Sequence, residues 1–363
     1  MFEIYLFYAF IAFLLTYFAT PIVIRAAYAI GALDHPEDRR IHKKSTPNIG
    51  GLAIFFGFII VTIFSLELSR EVLGLILGST LMLIMGFVDD IVGLKAAPKL
   101  IAQITGALIL IYFGISINFL TNPTEATSVF TLGWLAYPLT ILWIVGITNA
   151  INIIDGIDGL AAGVVAISAA VIAAVAFLTG RPQILPLALY LEASSLAFLR
   201  YNFSPAKIFM GDTGSQFLGF TLAGIAIIGT LKSAALISLL IPALAVGVPL
   251  FDTAAAIIRR TKNKKPIAMA DKEHLHHFFL NLGYNQRQVV LIMYGLNTIL
   301  GLLAIISTQV SKWQSIALFL LAIIFMIFIK TGKFKTKKAA KKTVKKSNAK
   351  KNTKKPIKKE KKK

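Results

Sequence analysis

Residues 131–179 read TLGWLAYPLTILWIVGITNAINIIDGIDGLAAGVVAISAAVIAAVAFLT. Two apolar runs, 131–150 and 159–179, flank a short polar loop. A run of about 20 residues is what an α-helix needs to cross about 30 Å of hydrocarbon. The loop carries Asn149, Asn152, Asp155 and Asp158 in steps of three, with Gly156 and Gly159 directly behind the two acids. Asp and Gly also serve as ordinary helix-end punctuation. Four polar residues in step inside an apolar run point beyond that role, and the glycines permit tight turns and close approach of a ligand. The segment reads as two membrane-crossing helices joined by chemistry at the bilayer surface.

The same pattern extends over the chain. Of 363 residues, 56% are hydrophobic and 15% charged, with a mean hydropathy of +0.73; a water-soluble domain carries about 25% charged residues. Apolar runs predict spans at 3–30, 49–67, 71–88, 99–118, 131–150, 159–179, 184–200, 214–230, 233–251, 289–308 and 313–330. The expected fold is therefore all-α: a polytopic membrane protein with about 11 transmembrane helices. The first run has no basic leader or small-residue cleavage site and reads as a retained span. The chain has no cysteine, which excludes disulfides, thiolate nucleophiles and Cys-based metal sites.

The net charge is +21, but residues 331–363 hold 17 Lys and one Glu, so +16 of it lies in this stretch. Two domains follow: a membrane-embedded unit over 1–330 and a Lys-rich tail over 331–363, expected to be disordered. For a tail leaving a membrane span, anionic lipid headgroups are the expected partner and nucleic acid is not. Cytoplasmic loops are rich in Lys and Arg. Placing the loop after the first span inside leaves only Arg70, Arg181, Lys232 and Lys312, of the 21 Lys and Arg outside the tail, on the far side. The N-terminus then lies outside and the C-terminus is cytoplasmic. The same alternation puts every Asp (34, 38, 89, 90, 155, 158, 212, 252, 271) and every His (35, 42, 274, 276, 277) on the cytoplasmic side. The spans carry almost no charge, Glu192 being the main exception.

Further loops on that side carry candidate chemistry. Met85–Leu94 (MGFVDDIVGL) ends the third span with Asp89 and Asp90, adjacent acids that call for a cation, a lysine partner or a shared proton. Lys95 and Lys99 follow and can hold phosphates, although a solvated helix end would look similar. Tyr201–Ser215 (YNFSPAKIFMGDTGS) places Asp212 at the start of a helix, where a carboxylate stays ionised and suits a hard metal ion. The same residues, Asp212, Thr213 or Ser215, would also serve as an N-cap. The loop Phe251–Arg287 holds Asp252, the basic run 259–265 and Asp271-Lys-Glu-His-Leu-His-His-Phe278. Without cysteines or an HExxH pair, these histidines fit phosphate oxygens better than zinc. Finally, in His42–Gly51 (HKKSTPNIGG) Gly50 and Gly51 let the backbone approach a neighbour closely and Lys43 or Lys44 can hold an anion, but alone it reads as an ordinary loop entering a helix. No P-loop or GxSxG pattern is present.

Five of these elements, STPNIGG, GFVDDIVGL, NAINIIDGIDGLAAG, SPAKIFMGDTGS and HLHHFFL, run in order over about residues 42–280. In them the sequence resembles the polyprenyl-phosphate N-acetylhexosamine-1-phosphate transferases, whose members start O-antigen, teichoic acid and peptidoglycan synthesis. The resemblance implies a Mg²⁺-dependent transferase, with Mn²⁺ as a substitute. It would pass a sugar 1-phosphate from a UDP-N-acetylhexosamine to a polyprenyl phosphate on the cytoplasmic face of the inner membrane and release UMP. It implies Asp89, with Asp90 beside it, acting on the lipid phosphate, and Asp212 as the metal ligand. It places Asn152, Asp155 and Asp158 in the loop lining the donor pocket, Lys99 and Asn202 at polar pocket positions, and His276 and His277 near the diphosphate. The interrupted His274-Leu-His-His pattern looks like the GlcNAc-1-phosphate group and not like the peptidoglycan enzyme, with His274 among the substrate contacts. A homodimer is one arrangement open to such a chain.

Overall fold

The computed structural model describes residues 2–34, 45–121, 129–230, 237–264 and 274–331. His35, Asp38, His42, Lys43, Lys44, Asp271 and the tail from residue 332 lie outside the described residues. The helices are α1 (Phe2–Ile30), α2 (Gly51–Ser65), α3 (Arg70–Val92), α4 (Ala96–Tyr112), α5 (Ala136–Ile154), α6 (Leu160–Leu178) and α7 (Leu185–Asn202). They continue with α8 (Gly211–Thr230), α9 (Ile237–Ala245), α10 (Gly247–Lys262), α11 (Leu275–Asn281), α12 (Gln286–Ser307) and α13 (Lys312–Thr331). Among the described residues, six segments are long and apolar enough to cross a bilayer: α1, α3, the stretch Gly133–Ile154 that contains α5, α6, α12 and α13. The shorter α2 and α4 are also apolar. The chain is a helical, multi-pass membrane protein.

Helices stand where ten of the eleven spans were expected. The ninth, 233–251, differs in being broken: within its described residues the helix is interrupted at Val246 between α9 and α10. The cause is local. Pro249 has no N–H to give the carbonyl four residues before it, so Ala245 O loses its helical partner. Ser168 Oγ (2.7 Å) and Asn297 Nδ2 (3.3 Å) donate to that carbonyl instead, the kind of replacement that a broken helix at membrane depth requires. The all-α expectation also omits two short antiparallel ladders, β1 (Leu33–Asp34) with β2 (Thr46–Pro47) and β3 (Phe119–Thr121) with β4 (Val129–Thr131).

Helix α8 is the centre. It packs on α3 and α5, while α6 packs between α7 and α12. Phe217, Phe220, Leu218 and Ile225 of α8 are fully buried, as expected of a helix that is apolar all round and enclosed by others. Phe7, Phe10, Phe18 and Ile22 of α1, and Leu321, Ile324 and Phe328 of α13, are large apolar side chains left exposed. Such surface is unusual on a soluble monomer and is what a lipid-facing helix presents.

Candidate active site

The site forms where the end of α3 meets the starts of α4 and α8 and the end of α5. Helix α8 begins at Gly211, whose φ of +71° suits glycine. A Cβ there would run into Asn48 O and the Asp90 carboxylate, and one on Gly86 of α3 would run into the Asp212 backbone. The backbones therefore touch, and only glycine permits it. The opening amides of α8 have no helical acceptor. Asp90 supplies one from another helix: its carboxylate accepts from Asp212 N (2.9 Å), Thr213 N (2.9 Å), Thr213 Oγ1 (2.6 Å) and Asn48 Nδ2 (3.0 Å). Asp90 is thus occupied in holding the start of α8, a different task from its neighbour.

Asp89 points elsewhere. It accepts from Leu94 N (2.6 Å) and pairs with Lys99, and its side chain is 8% exposed. Lys99 Nζ also donates to Asp212 Oδ2 at 2.6 Å, so one ammonium joins the two carboxylates. Asn152 Nδ2 donates to Asp212 Oδ1 (2.9 Å) and to Ser215 Oγ (2.8 Å). One helical turn deeper, the same three helices present Gln103, Asn149 and Gln216. Gln103 Nε2 donates to Gln216 Oε1 (2.8 Å), and Asn149 Nδ2 to Gln103 Oε1 (2.8 Å). This amide layer floors the charged layer. Its signal lay in the spacing: Gln103 and Gln216 follow Lys99 and Asp212 by four, and Asn149 precedes Asn152 by three.

The residues of the Asp-Gly loop divide their work. Asp158 accepts from Ala206 N at 3.0 Å; Asn202 accepts from Gly159 N (3.0 Å) and donates to Ile208 O (2.9 Å). Both are buried and brace the loop against residues 203–208. Asp155 is half-buried and its side chain makes no hydrogen bond among the described residues. Burial, with the charges of Asp212, Asp90 and Asp158, pushes its carboxyl well above the usual range. The loop ahead of α2 also gains a task. Gly50 N and Gly51 N donate to Phe209 O and Met210 O (3.0 Å each), and Phe209 N to Pro47 O (2.8 Å). Read from sequence as an ordinary loop, Thr46–Gly51 is a backbone bracket on the approach to α8.

The histidines open α11. His274 Nδ1 lies 3.0 Å from Asp252 Oδ2, and its ring stacks on that of His276 at 5.8 Å. His276 is 2% exposed, and its Nδ1 has no hydrogen-bond partner among the described residues. A Cβ on Gly156 would stand 3.5 Å from His276 Nε2, so this imidazole lies against the Asp-Gly loop. Burial, followed by the neighbouring His277, pushes His276 down to about 4. His277 packs beside it at 4.3 Å between ring centroids.

Among the described residues no three His, Asp or Glu form a ready metal cage. Mg²⁺ needs less, since it keeps several waters and uses one or two carboxylates plus substrate phosphates. Asp212, with Asp155 and its unpaired acceptor oxygens close by, is a hard oxygen set that fits this ion.

A family model described as glycosyl transferase family 4 matches residues 72–230, from α3 to the end of α8. A probable undecaprenyl-phosphate N-acetylglucosaminyl 1-phosphate transferase of Bacillus subtilis (strain 168) is 44% identical over 320 residues, covering 88% of this chain and 89% of the relative. The chain belongs to glycosyl transferase family 4. A decaprenyl-phosphate N-acetylglucosaminephosphotransferase of Mycobacterium tuberculosis (strain CDC 1551 / Oshkosh) is 34% identical and covers 77% of each chain. A phospho-N-acetylmuramoyl-pentapeptide-transferase of Halalkalibacterium halodurans is 32% identical over 81% of this chain and 94% of the relative. The resemblance read from the five motifs therefore holds. The segment matched by the glycosyl transferase family 4 model contains the whole acidic rim, Asp89 to Asp212, but not the histidines of α11.

Proposed function

We propose that the protein transfers N-acetylglucosamine 1-phosphate from UDP-GlcNAc to undecaprenyl phosphate and releases UMP. The reading includes eleven spans, with the helix broken at Val246 counted as one, and an active site on the cytoplasmic face of the inner membrane. The observation that carries it is the junction of three helix ends at which Lys99 joins Asp89 and Asp212. Phosphoryl transfer needs positioning and charge neutralisation more than covalent help from the protein, and this junction offers both.

An oxygen of the lipid phosphate attacks the sugar-bearing β-phosphorus of the donor. The bond from that phosphorus to the bridging oxygen breaks, and UMP leaves with the electron pair. The second pKa of a phosphate monoester is near 6, so the lipid phosphate arrives largely dianionic. Asp89, almost covered and already hydrogen-bonded at both oxygens, is better placed to orient Lys99 and the lipid phosphate than to attack phosphorus itself. This favours one in-line step over a phospho-aspartyl intermediate. Asp212 and Asp155 would hold Mg²⁺, or Mn²⁺ in its place, which when bound neutralises charge on the diphosphate. His276, kept neutral by burial, and His277 offer imidazole contacts to the diphosphate. The Lys tail holds anionic headgroups.

The test uses purified protein, undecaprenyl phosphate and Mg²⁺ with UDP-GlcNAc, UDP-GalNAc or UDP-MurNAc-pentapeptide in turn. Radiolabel from UDP-GlcNAc entering the lipid fraction with equimolar UMP is the expected result. Preference for UDP-MurNAc-pentapeptide would favour the peptidoglycan reaction. Uptake of label into sealed vesicles without UMP would replace the enzyme by a transporter.

A further inference from the structure

We propose that Asp252 is a positioning residue for this reaction: it fixes His274 and the first turn of α11, and through them the imidazoles of His276 and His277. The inference rests on the reading in which those imidazoles meet the donor diphosphate. Asp252 lies on α10 and is wholly buried. A carboxylate without water must be held by hydrogen bonds or opposite charge, and each of its partners is informative. Oδ1 accepts from Leu275 N at 3.0 Å. Helix α11 has only seven residues, and no side chain within it caps its start, so Asp252 does this from another helix. Oδ2 lies 3.0 Å from His274 Nδ1. Facing a carboxylate, Nδ1 carries the proton, which sets the tautomer and the plane of the ring. That plane is handed on: His274 and His276 stack with 6° between their rings, and His276 packs on His277. His276 in turn lies against Gly156, next to Asp155. A third group, Lys330 Nζ at the end of α13, stands 3.6 Å from Oδ1.

Two tasks for Asp252 can therefore be separated, orienting the histidines or clamping α13. Full-length protein is assayed with UDP-GlcNAc, undecaprenyl phosphate and Mg²⁺ as wild type, Asp252→Asn, His274→Asn, the double variant and Lys330→Met, at matched amounts of monodisperse protein. Asparagine keeps the acceptor for Leu275 N but turns an amide donor toward His274. Asp252→Asn is expected to lower kcat by about 10–100-fold, the range seen when the outer partner of a metal-bound histidine is removed, with KM for UDP-GlcNAc little changed. The double variant should be no slower than the slower single, and Lys330→Met should lose less than Asp252→Asn. Should Asp252→Asn fail to fold, the same cycle is run with Asp252→Glu. Losses that multiply in the double variant, or a Lys330→Met loss equal to that of Asp252→Asn, would overturn the positioning role while leaving the proposed reaction intact. A folded wild type that transfers no sugar phosphate from any UDP-N-acetylhexosamine would overturn the reaction and this role with it.

Discussion

On the acidic side of the site, the ends of α3, α4, α5 and α8 converge, and backbone atoms tie α8 to the loop before α2 and to Asp90. On the histidine side, a seven-residue helix carries His276 and His277, and its start rests on one buried carboxylate, Asp252. Each side uses an acid from a neighbouring helix, half-buried Asp90 or fully buried Asp252, to hold the opening amides of the helix that bears functional side chains. They differ in redundancy. Asp90 shares its task with glycine contacts and backbone hydrogen bonds, whereas Asp252 is the fixed point for a short element. Damage to a brace on the acidic side should therefore show mainly in stability, and on the histidine side mainly in rate.

The largest effect is expected for Asp212→Ala. It removes the carboxylate held by both Lys99 and Asn152, and turnover should fall to background at any Mg²⁺ concentration while the protein still inserts and purifies. Near-normal activity in the variant would remove Asp212 from the reaction. Next in size is the contrast between adjacent acids. Asp89→Asn should cost about 10²–10⁴-fold in kcat, as for a positioned base, with little change in melting temperature. Asp90→Asn takes away half of a charge-assisted cap worth about 1–3 kcal/mol, so its melting temperature should drop clearly. Equal melting temperatures in the two variants would erase the division of labour.

Much of this was legible in the sequence because the hydrophobic effect writes it locally. Runs of about 20 apolar residues mark helices wherever they occur, and polar residues in steps of three stand out within them. What stayed hidden depends on partners far along the chain. The break at Val246 follows from Pro249, but it is tolerable only because Ser168 and Asn297, 77 and 52 residues from Ala245, supply donors. Asp89 and Asp90 look alike as neighbours, and only residues 122 and 123 positions beyond Asp90 separate their roles. Thr46–Gly51 acts through backbone atoms, which leave no side-chain signature beyond two glycines. Asp252 was visible only as one of the acids in the loop Phe251–Arg287, and its task appears only once α11 is folded against it.

A smaller effect belongs to pH. Burial holds the His276 imidazole down to about 4, against an ordinary value of 6.5. Between those values the unfolded chain binds a proton that the folded one does not. The stability this histidine contributes is thus complete above about pH 6.5 and lost as pH falls toward 4. In a thermal series across this window, His276→Phe should flatten part of the acid decline; an unchanged slope would mean that the imidazole is solvated. The smallest effect is expected from deleting residues 332–363, which keeps Lys330 and the whole of α13. In detergent with soluble assay components kcat should be unchanged, and a large loss would bring the tail into the site.

The most direct measurement is exchange of labelled UMP into UDP-GlcNAc by wild-type protein without lipid. In a single step the lipid phosphate is the only acceptor, so label should stay in UMP until undecaprenyl phosphate is added. Exchange without lipid that disappears in Asp89→Asn would contradict this and make Asp89 the nucleophile of a two-step reaction.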